Sequence, residues 1–196
     1  AKAKPDEPVA RDLKLDVWVR VLKGEMPLMI TAQRAQDIDT ALRLAQEFKF
    51  KLWLDGGSES YLRADALKQA GVPVIARPSM MRAVGEQANA TVELPALLRR
   101  KGVSLAMGSG YESYVPKTRV ILFEAALAAV NGLGPENALA MITRDAAQLL
   151  GVSDCVGTLQ PGKDADIAMF DGDPFEYTTH CIGTLIDGTL EFQGQR

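Results

Sequence analysis

Four short apolar runs alternate with helical patterns along the first 151 residues, and this alternation constrains the fold more than any other feature. The runs cover residues 27–31, 51–54, 72–76 and 103–107. Each run is too short for a helix and ends at a polar or glycine-rich turn, which is typical of a buried strand. Strands that alternate with helices at this spacing indicate βα units and a parallel sheet.

The segments between and after these runs carry helix signals. Apolar residues recur at helical spacing over residues 37–48, and Gly71 closes the next helical pattern. Residues 117–131 are apolar almost all round, which predicts a buried helix. Thr143 is expected to cap the last helix. Residues 79–92 show no helical or strand periodicity, and we expect them to form a long loop, or excursion, after the third strand.

After residue 151 the pattern changes to short strands and turns. Pro161-Gly162 and Asp171-Gly172 are turn dipeptides, and apolar and polar side chains alternate between them. Asp187-Gly188 stands between two apolar flanks and is the strongest hairpin signal in the chain. We therefore divide the chain into an α/β unit, residues 1–151, and a small β-unit, residues 152–196.

Composition and charge exclude several classes of partner. The 196 residues are 47% hydrophobic and carry a net charge of −3, which is ordinary globular composition. No basic stripe is visible, so we expect neither nucleic acid nor an anionic membrane as a partner. The N-terminal residues lack the apolar region of a signal peptide. We expect a cytoplasmic location, with export of a longer parent chain as the alternative.

The cysteines and the single histidine offer little chemistry. Cys155 and Cys181 are too few for a disulfide scaffold and too far apart for a zinc motif, so we expect two buried thiols. His180 follows Tyr-Thr-Thr in the C-terminal β-unit and is expected to be a turn or surface histidine.

The C-terminal residues carry a family resemblance. Residues 157–175 read GTLQPGKDADIAMFDGDPF, with an echo, IGTLIDGTLEF, at 182–192. This stretch resembles the C-terminal signature of the amidohydrolase superfamily, and the chain is similar to its imidazolonepropionase-like group. With the four βα units, the resemblance implies half of a (β/α)8 TIM-like barrel followed by a segment of a composite β-sandwich domain. It covers nearly all of this chain but only about half of the family's usual length.

The resemblance also implies an activity and a cofactor. Members hydrolyse non-peptide carbon-nitrogen bonds, such as those of cyclic amides, with divalent metal, usually zinc, held by imidazole and carboxylate ligands. Carried over strand by strand, the ligand positions of this half fall at Thr31 or Gln33, near Asp55, and at Gly110. The resemblance therefore implies vacant ligand positions, and no cofactor is expected in this chain.

Barrel enzymes place their working residues at the carboxyl ends of the strands, which defines a set of candidates. Asp55 and Glu112 are the candidate catalytic carboxylates. The candidate ligand-binding residues are Gln33, Arg34, Asp55, Arg77, Ser109 and Tyr111.

Each of these candidates has a structural alternative. Asp55 could cap the helix that follows it, with Glu59 favouring the positive end of the same helix. Gly56-Gly57 could cradle an anion or simply form a tight turn. Arg34 and Arg77, taken to lie at adjacent strand ends, could clamp an anion or remain solvated. The methionine pairs Met80-Met81 and Met26/Met29 could line a binding groove but are expected to fill the core.

Three hypotheses of function follow. The chain is the C-terminal portion of a hydrolase that needs a missing N-terminal half, or a non-catalytic binding or assembly module, or a fragment ordered by association. Four strands of a barrel leave two unpaired edges and an uncovered apolar interior. A homo-oligomer or a missing N-terminal half is therefore the expected partner, with a small molecule as the ligand.

Overall fold

The four predicted strands pair in chain order into one parallel sheet. The computed structural model describes residues 12–77, 82–112, 115–116 and 118–194. The sheet order is β1-β2-β3-β4. The strands are β1 (Leu28–Ala32), β2 (Leu52–Gly56), β3 (Val74–Ala76) and β4 (Leu105–Met107). With helices between the strands, this is half of a TIM-like barrel, as predicted.

The helices connect and follow the strands. They are α1 (Leu13–Leu22), α2 (Ala35–Phe48), α3 (Ala64–Gln69), α4 (Leu94–Lys101), α5 (Ile121–Ala128), α6 (Pro135–Ile142) and α7 (Arg144–Leu150). A 3-10 turn at Ser60–Arg63 leads into α3. None of these helices combines the length and apolarity needed to cross a bilayer.

One face of the sheet packs against the helices and forms the core. Alternate strand residues such as Leu54 and Val74 point to this side and are fully buried. They meet helix residues that are equally buried, among them Ile38 of α2, Leu67 of α3 and Leu98 of α4. Each such side chain contributes about 1.5–3 kcal/mol by leaving water, so this face supplies most of the stability of the unit.

The opposite face is the side that lines a barrel interior. The strand register places Thr31, Asp55, Ile75 and Ala106 in one row across all four strands. Met29 and Trp53 form the pair two residues earlier along β1 and β2, on the same face. Met29 is 54% exposed, so the prediction that it fills the core is wrong. Its side chain shares a face with Thr31, and more than half of the residue is exposed to solvent.

The C-terminal β-unit is an antiparallel sheet of order β7-β8-β9. Its strands are β7 (Ile167–Phe170), β8 (Cys181–Ile186) and β9 (Thr189–Gln193). Asp187 and Gly188 both have positive φ, 49° and 76°, which confirms the predicted two-residue hairpin turn. A second small hairpin pairs β5 (Tyr111–Glu112) with β6 (Val115–Pro116). The domain boundary at residue 151 stays a prediction.

The helix predicted over residues 117–131 is shorter and less buried than expected. A 3-10 turn at Thr118–Val120 precedes α5, and a wider π-type turn at Ala129–Leu133 follows it. Phe123 is 63% and Val130 is 80% exposed, so the predicted burial all round is wrong. An apolar surface is buried only where another element covers it, and no described residue covers this side of α5.

Two further predictions are wrong at single residues. Thr143 donates its hydroxyl to the carbonyl of Leu139, at 2.7 Å, and makes no side-chain cap for α7. Cys155 is exposed in the turns after α7 and Cys181 is half-buried; both are free thiols. Within the predicted excursion, residues 82–92 hold one short 3-10 turn at Gly85–Gln87, and residues 79–81 lie outside the described residues.

Candidate functional site

A buried carboxylate lies at the carboxyl end of β2 on the interior face. Asp55 is 3% exposed. Its Oδ2 accepts a hydrogen bond from Thr31 Oγ1 at 2.8 Å, and its Oδ1 lies 2.6 Å from Arg77 Nη2. Burying an unpaired carboxylate is costly, so the guanidinium from the next strand is what makes this position tolerable. We call Thr31, Asp55 and Arg77 the strand-end cluster.

The prediction that Asp55 caps the following helix is wrong. Its side chain points across the sheet, because alternate residues of a strand face opposite sides and Asp55 shares its side with Thr31. Glu59 does favour a helix end, but of α2, which precedes it in the chain. Its Oε2 accepts from the Ala35 N–H at 2.7 Å, and its Oε1 accepts from Asn89 Nδ2 at 2.7 Å. The Ala35 hydrogen bond, followed by that from Asn89, lowers the pKa of Glu59.

Gln33 lies flat over a glycine beside the cluster. A Cβ atom on Gly56 would stand 2.5 Å from Gln33 Nε2, so only glycine leaves room for this side chain. Gln33 Oε1 accepts from the Ser58 N–H at 3.1 Å and from Ser58 Oγ at 2.7 Å. Gly56 thus makes space for Gln33, which is a third explanation beside the predicted anion cradle and the tight turn. The Gln33 amide nitrogen remains as a donor.

Arg77 lies over a second glycine at the end of β4. A Cβ atom on Gly108 would stand 3.2 Å from Arg77 Nε and 3.0 Å from Ile75 Cγ2. The Arg77 side chain is 33% exposed. Its Nε is buried and has no hydrogen-bond partner among the described residues. Arg77 therefore pairs with the Asp55 carboxylate and packs close to Gly108, and a third of its side chain is exposed.

The strand-end cluster as defined leaves out four predicted residues, Arg34, Ser109, Tyr111 and Glu112. Arg34 follows β1 and Arg77 follows β3, and because β2 lies between these strands, the prediction that their strand ends are adjacent is wrong. Ser109 follows Gly108 and is half-buried. Tyr111 and Glu112 pair through their backbones in β5, and their side chains lie outside what the structure describes. The roles predicted for these two side chains stay predictions.

The side chains of the strand-end cluster do not supply the ligands that a divalent cation needs. Among the described residues, no three His, Cys, Asp or Glu side chains come together as a metal would require. Asp55 is the one carboxylate in the strand-end cluster, and the guanidinium at 2.6 Å already holds it. A cation beside Arg77 would be repelled at short range.

His180 is 79% exposed in the turn before β8, with Nδ1 3.9 Å from Asp171 Oδ2, as predicted for a turn histidine.

A second aspartate–arginine pair lies at the opposite, amino-terminal end of the strands. Asp145 of α7 is 8% exposed and accepts from Arg99 Nη2 and, at 3.0 Å, from Arg144 Nε. Arg99 and Asp145 line a cavity of about 980 Å³ together with Trp53 and other residues of β2 and α2. The neighbouring helices α4 and α7 are joined by this pair. It resembles the strand-end cluster in chemistry but not in position.

Sequence reasoning missed Thr31 as the partner of Asp55, as well as Ser58 and Gly108. Thr31 and Asp55 stand 24 positions apart, and only the register of β1 with β2 makes them neighbours. The available signal was the order of the strands, since the carboxyl ends of parallel strands meet at one edge. Gly108 carried no signal beyond its place in a turn.

Comparisons with known proteins agree on one family. The sequence profile described as amidohydrolase family matches residues 69–190. An imidazolonepropionase from Mesorhizobium japonicum is 34% identical over 109 residues, 55% of this chain and 26% of that protein. The crystal structure of an amidohydrolase from Thermotoga maritima MSB8 matches with a TM-score of 0.87 and 33% identity, over 96% of this chain and 49% of that one.

A more distant solved structure shares the fold. An adenosine deaminase from Xanthomonas campestris, solved with bound zinc, matches with a TM-score of 0.63 and 17% identity, over 91% of this chain and 48% of that one. The chain thus spans about a quarter of the length of the curated imidazolonepropionase and about half of the length of these solved structures.

Proposed function

Because this chain belongs to the amidohydrolase family, we propose that its half-barrel binds a small molecule at the strand ends without holding a metal ion there. The observation that carries this proposal is the ion pair between Asp55 and Arg77, at 2.6 Å. A metal ion at Asp55 would have to displace the guanidinium. The free energy of the ion pair would then be lost and would count against metal binding.

The ligand inventory supports the same proposal. A zinc site needs three or four imidazole, thiolate or carboxylate ligands at about 2.0–2.3 Å. Asp55 offers one carboxylate, and the positions that the family resemblance assigns to other ligands hold Thr31, Gln33 and Gly110. The Thr31 hydroxyl donates to Asp55 and the Gln33 carbonyl accepts from Ser58. These side chains are engaged with one another, which suits a polar binding surface.

A second candidate function is hydrolysis of a carbon-nitrogen bond in a cyclic amide. The similarity to the imidazolonepropionase of M. japonicum and to the T. maritima amidohydrolase favours it. In this case the metal ligands would come from another part of a longer protein or from a partner chain. This chain would then contribute one wall of the site, with the strand-end cluster facing the substrate.

Metal content tests the first candidate, a strand-end site that binds a small molecule without a metal ion. The purified 196-residue chain is dialysed against trace zinc, iron and manganese and analysed by elemental mass spectrometry. We expect far less than one metal ion per chain. One tightly held ion per chain, retained in the Cys155→Ser and His180→Ala variants that remove exposed adventitious ligands, would overturn this proposal and show that the chain carries metal ligands of its own.

A further inference from the structure

We propose that the strand-end cluster, together with Gln33, is a recognition site for a ligand carboxylate. The inference rests on the proposed function, because it names the chemical class of the molecule that the strand ends bind. Arg77 would supply the principal contacts through its exposed guanidinium edge, and Gln33 would supply its amide N–H groups. Asp55 and Thr31 would hold Arg77 in place.

The first argument is the balance of donors and acceptors. The Asp55 carboxylate accepts from Thr31 and pairs with Arg77, and the Gln33 carbonyl accepts twice from Ser58. Asp55 Oδ2 and the Gln33 carbonyl oxygen are thus engaged in hydrogen bonds, and Asp55 Oδ1 is neutralised by the guanidinium without forming a hydrogen bond among the described residues. Arginine carries five N–H donors and the glutamine amide carries two, and the contacts between these side chains use only a minority of them. A surface with surplus donors fits a ligand rich in acceptors.

The second argument is the fixed orientation of the guanidinium. Asp55 pairs with one Nη, and the glycine at position 108 leaves room for the side chain, since a Cβ atom there would stand 3.2 Å from Nε. A planar donor fork held in this way matches the two oxygens of a carboxylate. Because the side chain is ordered before the ligand arrives, less conformational entropy is lost on binding.

The third argument is position. Gln33 and Arg77 follow the carboxyl ends of β1 and β3, the two strands that flank β2, at whose end Asp55 lies. In barrels of this kind, the carboxyl ends of the strands carry the ligand sites, whereas contacts at the amino ends serve stability. The Arg99–Asp145 pair at the amino ends offers a matched comparison, since Arg99 is also paired with a buried carboxylate and its buried Nε also has no partner among the described residues.

Site-resolved titration tests the inference on the full 196-residue chain. Propionate is added while the arginine Nε–H signals are followed by ¹H–¹⁵N NMR, with propionamide as an uncharged probe of nearly the same shape. We expect a saturable shift of the Arg77 signal with propionate and none with propionamide. The Arg99 signal should stay unchanged.

Two variants and one control complete the test. Arg77→Lys keeps the charge but loses the fork, and Gln33→Leu removes the amide without touching the ion pair; each should weaken propionate binding by about tenfold or more. Arg99→Lys should leave it unchanged. No saturable shift at Arg77, an equal response at Arg99, or unchanged affinity in both variants would overturn the inference. Tightly bound zinc in the metal assay would instead overturn the proposed function itself.

Discussion

Arg77 and Asp55 depend on each other unequally. Asp55 is 3% exposed, whereas a third of the Arg77 side chain reaches solvent. Removing the arginine would leave a buried carboxylate without its counter-charge, while removing the carboxylate would leave an arginine that water can still solvate. The pair therefore contributes to stability mainly because Asp55 is buried and requires a counter-charge.

We expect Arg77→Met to lower the free energy of unfolding by about 3–5 kcal/mol. Asp55→Asn should cost about 1–3 kcal/mol, the range for a disturbed buried hydrogen bond. Urea unfolding measures both. Arg63→Met is the control, because Arg63 pairs with Asp39 at 2.7 Å on an exposed surface, where an ion pair contributes about 0–1 kcal/mol. Equal costs at Arg77 and Arg63 would show that burial of Asp55 is not the deciding factor.

Glu59 is a single residue that is expected to make the stability of the fold depend on pH. Its pKa is lowered from the ordinary value of 4.5, first because the Ala35 N–H donates to it. The folded state then binds a proton less readily than the unfolded state, so the contribution is complete above 4.5 and is lost as pH falls through the lower folded pKa. We expect Glu59→Gln to have a lower urea midpoint than the wild type at pH 7, with the gap closing below pH 4.5. A gap independent of pH would contradict this.

At the scale of elements, the contact between α7 and the start of the family signature depends on one glycine. Gly157 has φ of 94°, and a Cβ atom there would stand 2.6 Å from Ala147 Cβ and 3.2 Å from the Thr143 carbonyl oxygen. The signature segment can approach α7 only because this position has no side chain. Gly162, in the predicted Pro-Gly turn, has nearly the same φ of 90° but no atom within 4 Å of its Cβ position.

The two glycines separate crowding from backbone strain. Gly162→Ala should cost only about 1–2 kcal/mol, the cost of placing a side chain in the left-handed region. Gly157→Ala should cost more by a further 1–3 kcal/mol or so, because the added methyl group overpacks the contact with α7. Thermal or urea unfolding of both variants provides the comparison. Equal losses would mean that the segment shifts away from α7 without penalty.

The elements themselves were largely predictable, whereas their contacts were not. The apolar runs and the Asp187-Gly188 turn predicted the strands to within two residues and the hairpin by its dipeptide. Periodicity shows which side of an element is apolar, but it does not show whether anything covers that side, which is why Phe123 was expected to be buried. The pairing of Thr31 with Asp55 needs the strand register, which no local pattern contains.

At the scale of the whole molecule, the described chain is half of a closed architecture. Within the described residues, β1 and β4 each pair with only one neighbour, and the interior face between them carries Met29, at 54% exposure, and Trp53. Exposed edges and apolar faces of this kind promote association. We propose that a second half-barrel, from a longer parent or from another copy, covers them.

Sedimentation and light scattering test the association of the 196-residue chain. We expect a dimer or larger assembly at micromolar concentration. Met29→Glu, which places a charge on the interior face, should shift the population toward the monomer, whereas Lys51→Glu at the exposed strand start should not. A monomer that binds no apolar dye would contradict the proposal.

The Asp55–Arg77 pair also limits the order in which substitutions can change this site. With Arg77 present, a histidine introduced at position 31 or 33 meets a fixed positive charge, so neither substitution alone yields a useful metal ligand. If Arg77 is replaced first while Asp55 remains, stability falls, because the buried carboxylate loses its counter-charge. Residues in one charged network are not independent in their effects. We therefore expect conversion of this site to a metal-binding form to require coupled substitutions, because loss of Arg77 alone lowers the stability.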